Sequence, residues 1–96
     1  QRQLVANLTF DPPQVIDSAQ APAAQVLSVL REWKLPNEDR LNVNGSGISL
    51  GHPIAATGAR ILTTLLYEME ARQAQWGLET MCVGGGQGVA AVFERK

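Results

Sequence analysis

Met81-Cys82-Val83-Gly84-Gly85-Gly86-Gln87-Gly88 holds the only cysteine and four of the nine glycines of this 96-residue chain. One apolar run, Leu78 to Val83, leads into it, and another, Val89 to Phe93, leads out. Glycine at this density implies backbone at φ > 0, or something approaching the chain closely. The pattern reads as two adjacent strands joined by a glycine turn. A cysteine at the rim of such a turn is either a small buried hydrophobe or a reactive thiol.

Upstream of the turn, Gly77 reads as the C-terminal stop of a long helix that begins around Ala55 to Gly58. Its first turns are small (Ala55, Ala56, Gly58, Ala59), and Ile61, Leu62, Leu65, Leu66 and Met69 continue an apolar face. Glu68 and Arg72 stand at i, i+4, a surface pair worth about 0.3–0.5 kcal/mol. Before this helix, Leu41 and Val43 start a strand that runs into a loop over Asn42 to Gly47, and the loop continues from Ile48 to Pro53. Ala23, Val26, Leu27 and Leu30 recur at helical spacing after Pro22, which predicts an amphipathic helix with one buried face, closed by Pro36-Asn37.

Asp17 and Ser18 are turn and helix-start residue types, Val15-Ile16 is a very short strand, and Leu4 to Phe10 is another, broken by Asp11-Pro12-Pro13. The expected order is β, β, α, β, α, β, β, an α/β fold. A small-residue helix face is normally covered, and only one other helix is at hand. The core is therefore expected to be completed by another segment, in a partner chain or elsewhere in the same one.

The net charge of −1 gives no electrostatic footprint for nucleic acid or an anionic membrane. No apolar run approaches the roughly 18 residues of a membrane helix, and no signal-peptide pattern opens the chain. A single cysteine excludes an internal disulfide and a cysteine-based zinc site, and fits a reducing compartment. The first residue is Gln1, which fits a processed product or a piece of a longer chain.

Backbone N–H groups in the Gly84–Gly88 turn could converge on a developing oxyanion and would favour a nearby thiolate. A phosphate-binding loop is the weaker reading: the Lys-Ser/Thr pair is missing, and a strand follows where a helix N-terminus is needed. His52, the only histidine, sits between Gly51 and Pro53, and the proline restricts its backbone. It is either a solvated loop residue or the base partner of a thiol. Arg60 reads as one half of a structural ion pair, or as a ligand for an acidic group. Trp33 and Trp76, near the ends of the two helices, read as packing residues.

Residues Asn42-Val43-Asn44-Gly45-Ser46-Gly47-Ile48-Ser49-Leu50-Gly51-His52-Pro53-Ile54-Ala55-Ala56-Thr57-Gly58-Ala59-Arg60 resemble the thiolase signature N-x-N-G-G-x-I-x-x-G-H-P-x-G-x-[ST]-G-x-R. Cys82 to Gly88 resembles the family's closing motif, C-x-G-G-G-x-G. The resemblance covers residues 41–96 closely and 14–40 loosely, and leaves 1–13 unassigned. It implies a thiolase-like C-terminal half-domain, a mixed sheet with packing helices, incomplete without the rest of the thiolase fold.

The implied activity is acyl transfer between coenzyme A thioesters, which are substrates, with no bound cofactor and no metal. Cys82 matches the acid/base cysteine. His52 matches the histidine that activates the nucleophilic cysteine and helps hold a thioester oxygen. The Gly84 N–H matches an oxyanion-hole donor. The implied partner is an N-terminal thiolase half or a larger thiolase-like chain, in a dimer or tetramer, with no nucleic acid or membrane partner and a cytoplasmic location.

Three departures stand against the family pattern. The family's acylated cysteine lies in the N-terminal half, and this chain has no second cysteine. The N-E-A-F motif aligns with Ala19, Gln20, Ala21 and Pro22, so the water-positioning asparagine becomes Ala19 and the glutamate Gln20. This favours an alternative, a non-catalytic thiolase-derived structural or interaction subunit. Ser46 and Ala55 replace glycines, and local adjustment is expected at both.

Overall fold

A computed structural model describes residues 14–19, 23–34 and 39–96. Its elements are β1 (Val15–Ala19), α1 (Ala23–Trp33), the short α2 (Gly47–Leu50), α3 (Thr57–Ala71), β2 (Trp76–Gly84) and β3 (Gln87–Glu94). The expected strand at Leu4 to Phe10, the Pro22 helix start and the Pro36-Asn37 stop lie outside the described residues.

The three strands form one mixed sheet in the order β1-β2-β3. β1 runs parallel to β2, with Val15, Asp17 and Ala19 beside Gly77, Glu79 and Met81. β2 and β3 form the expected antiparallel hairpin, longer at both ends than its apolar runs. Gly85 (φ +57°) and Gly86 (φ +74°) are its two central turn residues. Both positive φ values match the hairpin turn whose twist suits the flanking strands. The α/β class and the mixed sheet are as expected.

α3 lies across β1 and β2. Thr57, Ile61, Leu65 and Met69, one residue per helical turn, are its buried stripe. Val15, Leu65, Met69 and Ala74 form the core cluster, with Phe93 packed against it. Leu66 and Tyr67, one and two positions past Leu65, are exposed, so the apolar face is narrower than its composition suggests.

Several expectations are corrected. Asp17 and Ser18 do not start a turn: they lie inside β1 and are buried, which side-chain partners on the loop after Arg40 make possible. Residues 41–43 are not a strand. Leu41 makes one bridge to Ile16, and Asn42 (φ +48°) and Gly45 (φ +79°) then turn the chain. Ile48 to Leu50 belong to the α2 turn, not to a loop.

The long helix starts at Thr57 and ends at Ala71, and Gln73 takes the left-handed turn (φ +55°). Gly77 is a strand residue: a Cβ there would run into Met69 Sδ and lie 3.2 Å from Leu65. Trp76 opens β2. α1 forms, but none of its residues is buried and Leu27 is 66% exposed, so its expected buried face is uncovered among the described residues. Of the small residues opening α3, Gly58 faces Met81 on β2, and Ala55, Ala56 and Ala59 are exposed. No helix among the described residues is long and apolar enough to cross a membrane.

Candidate active site

α3 precedes β2 and packs back along it, so the start of the helix meets the end of the strand. The loop entering α3 carries His52, after Gly51 in a left-handed conformation (φ +94°). Cys82 lies near the end of β2. Between Cys82 and Gly84 the register slips by one: Cys82 faces Gly88 and Gly84 faces Gln87, leaving Val83 as the extra residue of a bulge. Such bulges bend a strand and re-aim its side chains.

His52 bridges the two elements. Its Nε2 lies 3.0 Å from Cys82 Sγ, and its Nδ1 lies 2.6 Å from Thr57 Oγ1. The Thr57 hydroxyl donates to Pro53 O at 2.8 Å. Thr57 is completely buried, while His52 and Cys82 are both partly accessible. The arrangement can pass a proton between a thiol and an imidazole that stay open to a substrate. Thr57 was not singled out from the sequence, although it occupies the [ST] position of the signature.

Gly84 (φ +97°) lies just past the bulge, and among the described residues nothing approaches within 4 Å of where a Cβ on Gly84, Gly85 or Gly86 would sit. Among those residues the conformation demands these glycines, not crowding. The space in front of them is open.

A polar cluster joins β1, the start of α2 and α3, and of its members only Arg60 stands out in the sequence as a candidate for chemistry. Ser46 Oγ donates to Asp17 Oδ1 at 2.7 Å, and Arg60 Nη2 donates to Ser46 Oγ at 3.4 Å. Ser46 therefore does more than fit in a glycine's place: it ties the start of α2 to β1. Ser49 Oγ accepts the Ser46 N–H at 3.1 Å, which closes the same turn. Burial pushes the Asp17 carboxyl up, against the Ser46 hydrogen bond and the Arg60 charge, which pull it down. Glu79, beside Asp17 in the sheet, is pushed up by burial and by the Asp17 charge. Arg60 Nε and Nη1 and Glu79 Oε2 are buried without a hydrogen-bond partner among the described residues. Arg60 thus acts on Asp17 through Ser46 and through its charge.

Asn42, the first signature residue, is also structural. It receives the Ser18 N–H on Oδ1 at 2.6 Å and donates Nδ2 to Ser18 O at 3.1 Å. With Ile16 N donating to Arg40 O and Asn42 N donating to Ile16 O, it completes the outer edge of β1. Asn44 Nδ2 donates to Glu68 Oε2 at 2.7 Å, and Glu68 also holds the expected ion pair with Arg72. Among the described residues no group of three or more His, Cys, Asp or Glu could hold a metal ion.

The family profile described as "Thiolase, C-terminal domain" matches residues 4–95. An acetyl-CoA acetyltransferase of Thiocystis violacea is 53% identical over 83 residues, covering 84% of this chain and 20% of that protein. A 3-ketoacyl-CoA thiolase of Idiomarina loihiensis is 49% identical over 92 residues, covering 94% of this chain and 24% of that protein. An acetyl-CoA acetyltransferase of Escherichia coli K12 is 50% identical over 91 residues, covering 95% of this chain and 23% of that protein. The chain spans about a fifth to a quarter of the length of these curated relatives. With the signature's histidine and the closing motif's cysteine brought side by side, the chain belongs to the thiolase family, as its C-terminal domain.

Proposed function

We propose that this chain is the C-terminal catalytic part of a thiolase-type acyltransferase, moving an acetyl or acyl group between coenzyme A thioesters. The observation that carries the reading is the 3.0 Å contact between His52 Nε2 and Cys82 Sγ beside an open glycine turn. In this reading Cys82 takes a proton from, or returns it to, the α-carbon of an acetyl thioester. His52 activates the nucleophile and helps hold the thioester oxygen, and the Gly84 N–H stabilises the tetrahedral oxyanion.

The acylated cysteine lies outside these 96 residues, in an N-terminal thiolase half or a larger thiolase-like chain, because they hold one cysteine. Exposed Ile54, Leu66, Tyr67 and Val83 support a covering partner, in a dimer or tetramer. A cytoplasmic location fits coenzyme A chemistry and a free thiol.

The test mixes the chain with an N-terminal thiolase portion and follows acetoacetyl-CoA cleavage. Cys82→Ala should abolish turnover, and His52→Ala should lower it by about 10²–10⁴-fold. Unchanged rates in both variants would sink the assignment.

A second reading, a thiolase-derived structural subunit without turnover, rests on Ala19. This residue stands where the family's water-positioning asparagine is expected, and it is 0% exposed beside Met81, next to Cys82 in sequence. A methyl group there offers no hydrogen bond to a water. If this reading holds, the reconstituted wild type is inactive and Ala19→Asn gains activity. Full activity of the wild type rejects it.

A further inference from the structure

We infer that Thr57 is a positioning residue that sets the tautomer of His52, so that the bare nitrogen of the ring faces Cys82. The inference deepens the proton-transfer reading of His52 and Cys82 and rests on it.

The Thr57 hydroxyl has a single proton and two close neighbours, Pro53 O at 2.8 Å and His52 Nδ1 at 2.6 Å. A carbonyl oxygen only accepts, whereas an imidazole nitrogen can donate or accept. If the hydroxyl donated to Nδ1, two oxygens would face each other at 2.8 Å with no proton between them. One arrangement makes both contacts hydrogen bonds: Oγ1–H donates to Pro53 O and Oγ1 accepts from Nδ1–H. The neutral ring then carries its proton on Nδ1. Nε2, at 3.0 Å from Cys82 Sγ, is left with a lone pair to receive the thiol proton.

When the proton crosses, Cys82 becomes a thiolate and His52 an imidazolium whose Nδ1–H stays on Thr57. The reverse transfer restores the thiol and the neutral ring. Thr57 is suited to this because it is completely buried and lies on the first turn of α3, five residues after His52. Its hydroxyl is fixed by the helix and shielded from water, so ring rotation and tautomer are fixed together.

The test is ¹⁵N NMR of the imidazole in this chain, whose one histidine removes assignment ambiguity. It is paired with the rate at which iodoacetamide alkylates Cys82. In the neutral ring of wild type, and of Thr57→Ser, Nδ1 should be pyrrole-type and Nε2 pyridine-type. Thr57→Val should lose that preference, and alkylation near neutral pH should slow by roughly ten-fold. An Nε2–H tautomer in wild type would overturn the inference, and that measurement needs no variant to fold. Folded Thr57→Val with unchanged tautomer and alkylation would overturn it too. Neither readout requires turnover, so loss of the acyltransferase reading would be seen separately, in the reconstituted assay.

Discussion

His52 Nε2 and Cys82 Sγ lie 3.0 Å apart although 30 residues, and the whole of α3, separate them in sequence. The gap is set by how closely the start of α3 approaches the end of β2. Gly58 controls that approach: a Cβ there would lie 3.3 Å from Met81 Cε, the flexible end of a side chain that can give way. Gly58→Ala should therefore be tolerated. Gly58→Leu should push the helix outward, part the pair, and slow Cys82 alkylation by roughly ten-fold, as measured by intact mass.

Asn42 holds Ser18 by both its backbone groups, and Ser18 is buried. Asn42→Ala leaves that N–H and C=O without their partner and should cost about 2 kcal/mol or more. For a domain of this size that is a fall in Tm of about 8–16 °C by circular dichroism.

Gly77→Ala places a methyl against Met69 and Leu65, both in the buried core cluster. A loss of about 1–3 kcal/mol in urea unfolding is expected. In a Met69→Ala background the loss caused by Gly77→Ala should shrink, because the collision is with the Met69 sulfur.

Glu79 is held above its ordinary 4.5 by burial and by Asp17. A carboxyl of this kind binds more protons in the folded state than in the unfolded one, so its contribution to stability falls as pH rises from the ordinary value through the raised one. Glu79→Gln should raise Tm at about pH 7, and the gain should vanish at about pH 3, where the wild-type carboxyl is protonated in both states. A gain equal at both values would contradict the charge argument.

Gly85 needs its left-handed φ but no empty space. Gly85→Asn, a residue that hairpin turns of this type accept, should change stability by less than about 0.5 kcal/mol. Gly85→Val should cost roughly 1–2 kcal/mol, because a branched side chain resists that conformation. Thermal melts of the two variants separate the effects.

The hairpin around Cys82, the α3 stripe and the His52 and Cys82 motifs were all legible in the sequence, because each is a local signal. Glycine density marks a turn, a spacing of four marks a helix face, and the motifs are contiguous. The ends of elements were less legible. Asp17 and Ser18 looked like turn residues because their side chains compete with a local backbone. They lie in β1 because Ser46 and Asn42, brought from a distant loop, satisfy them instead. Gly77 looked like a helix stop, and its reason is a close approach to Met69 that no local pattern reveals.

The sequence by itself determined the family, the α/β class, the turn chemistry and the identity of the two candidate proton-transfer groups. Tertiary structure alone decided that His52 meets Cys82, that its other ring nitrogen meets Thr57, and that an Asp17–Ser46–Arg60 cluster ties the start of α2 to β1. The physical reason is that these are contacts between residues 5 to 30 positions apart. Their distances follow from helix-on-sheet packing, which depends on the whole core at once and not on any one stretch of chain.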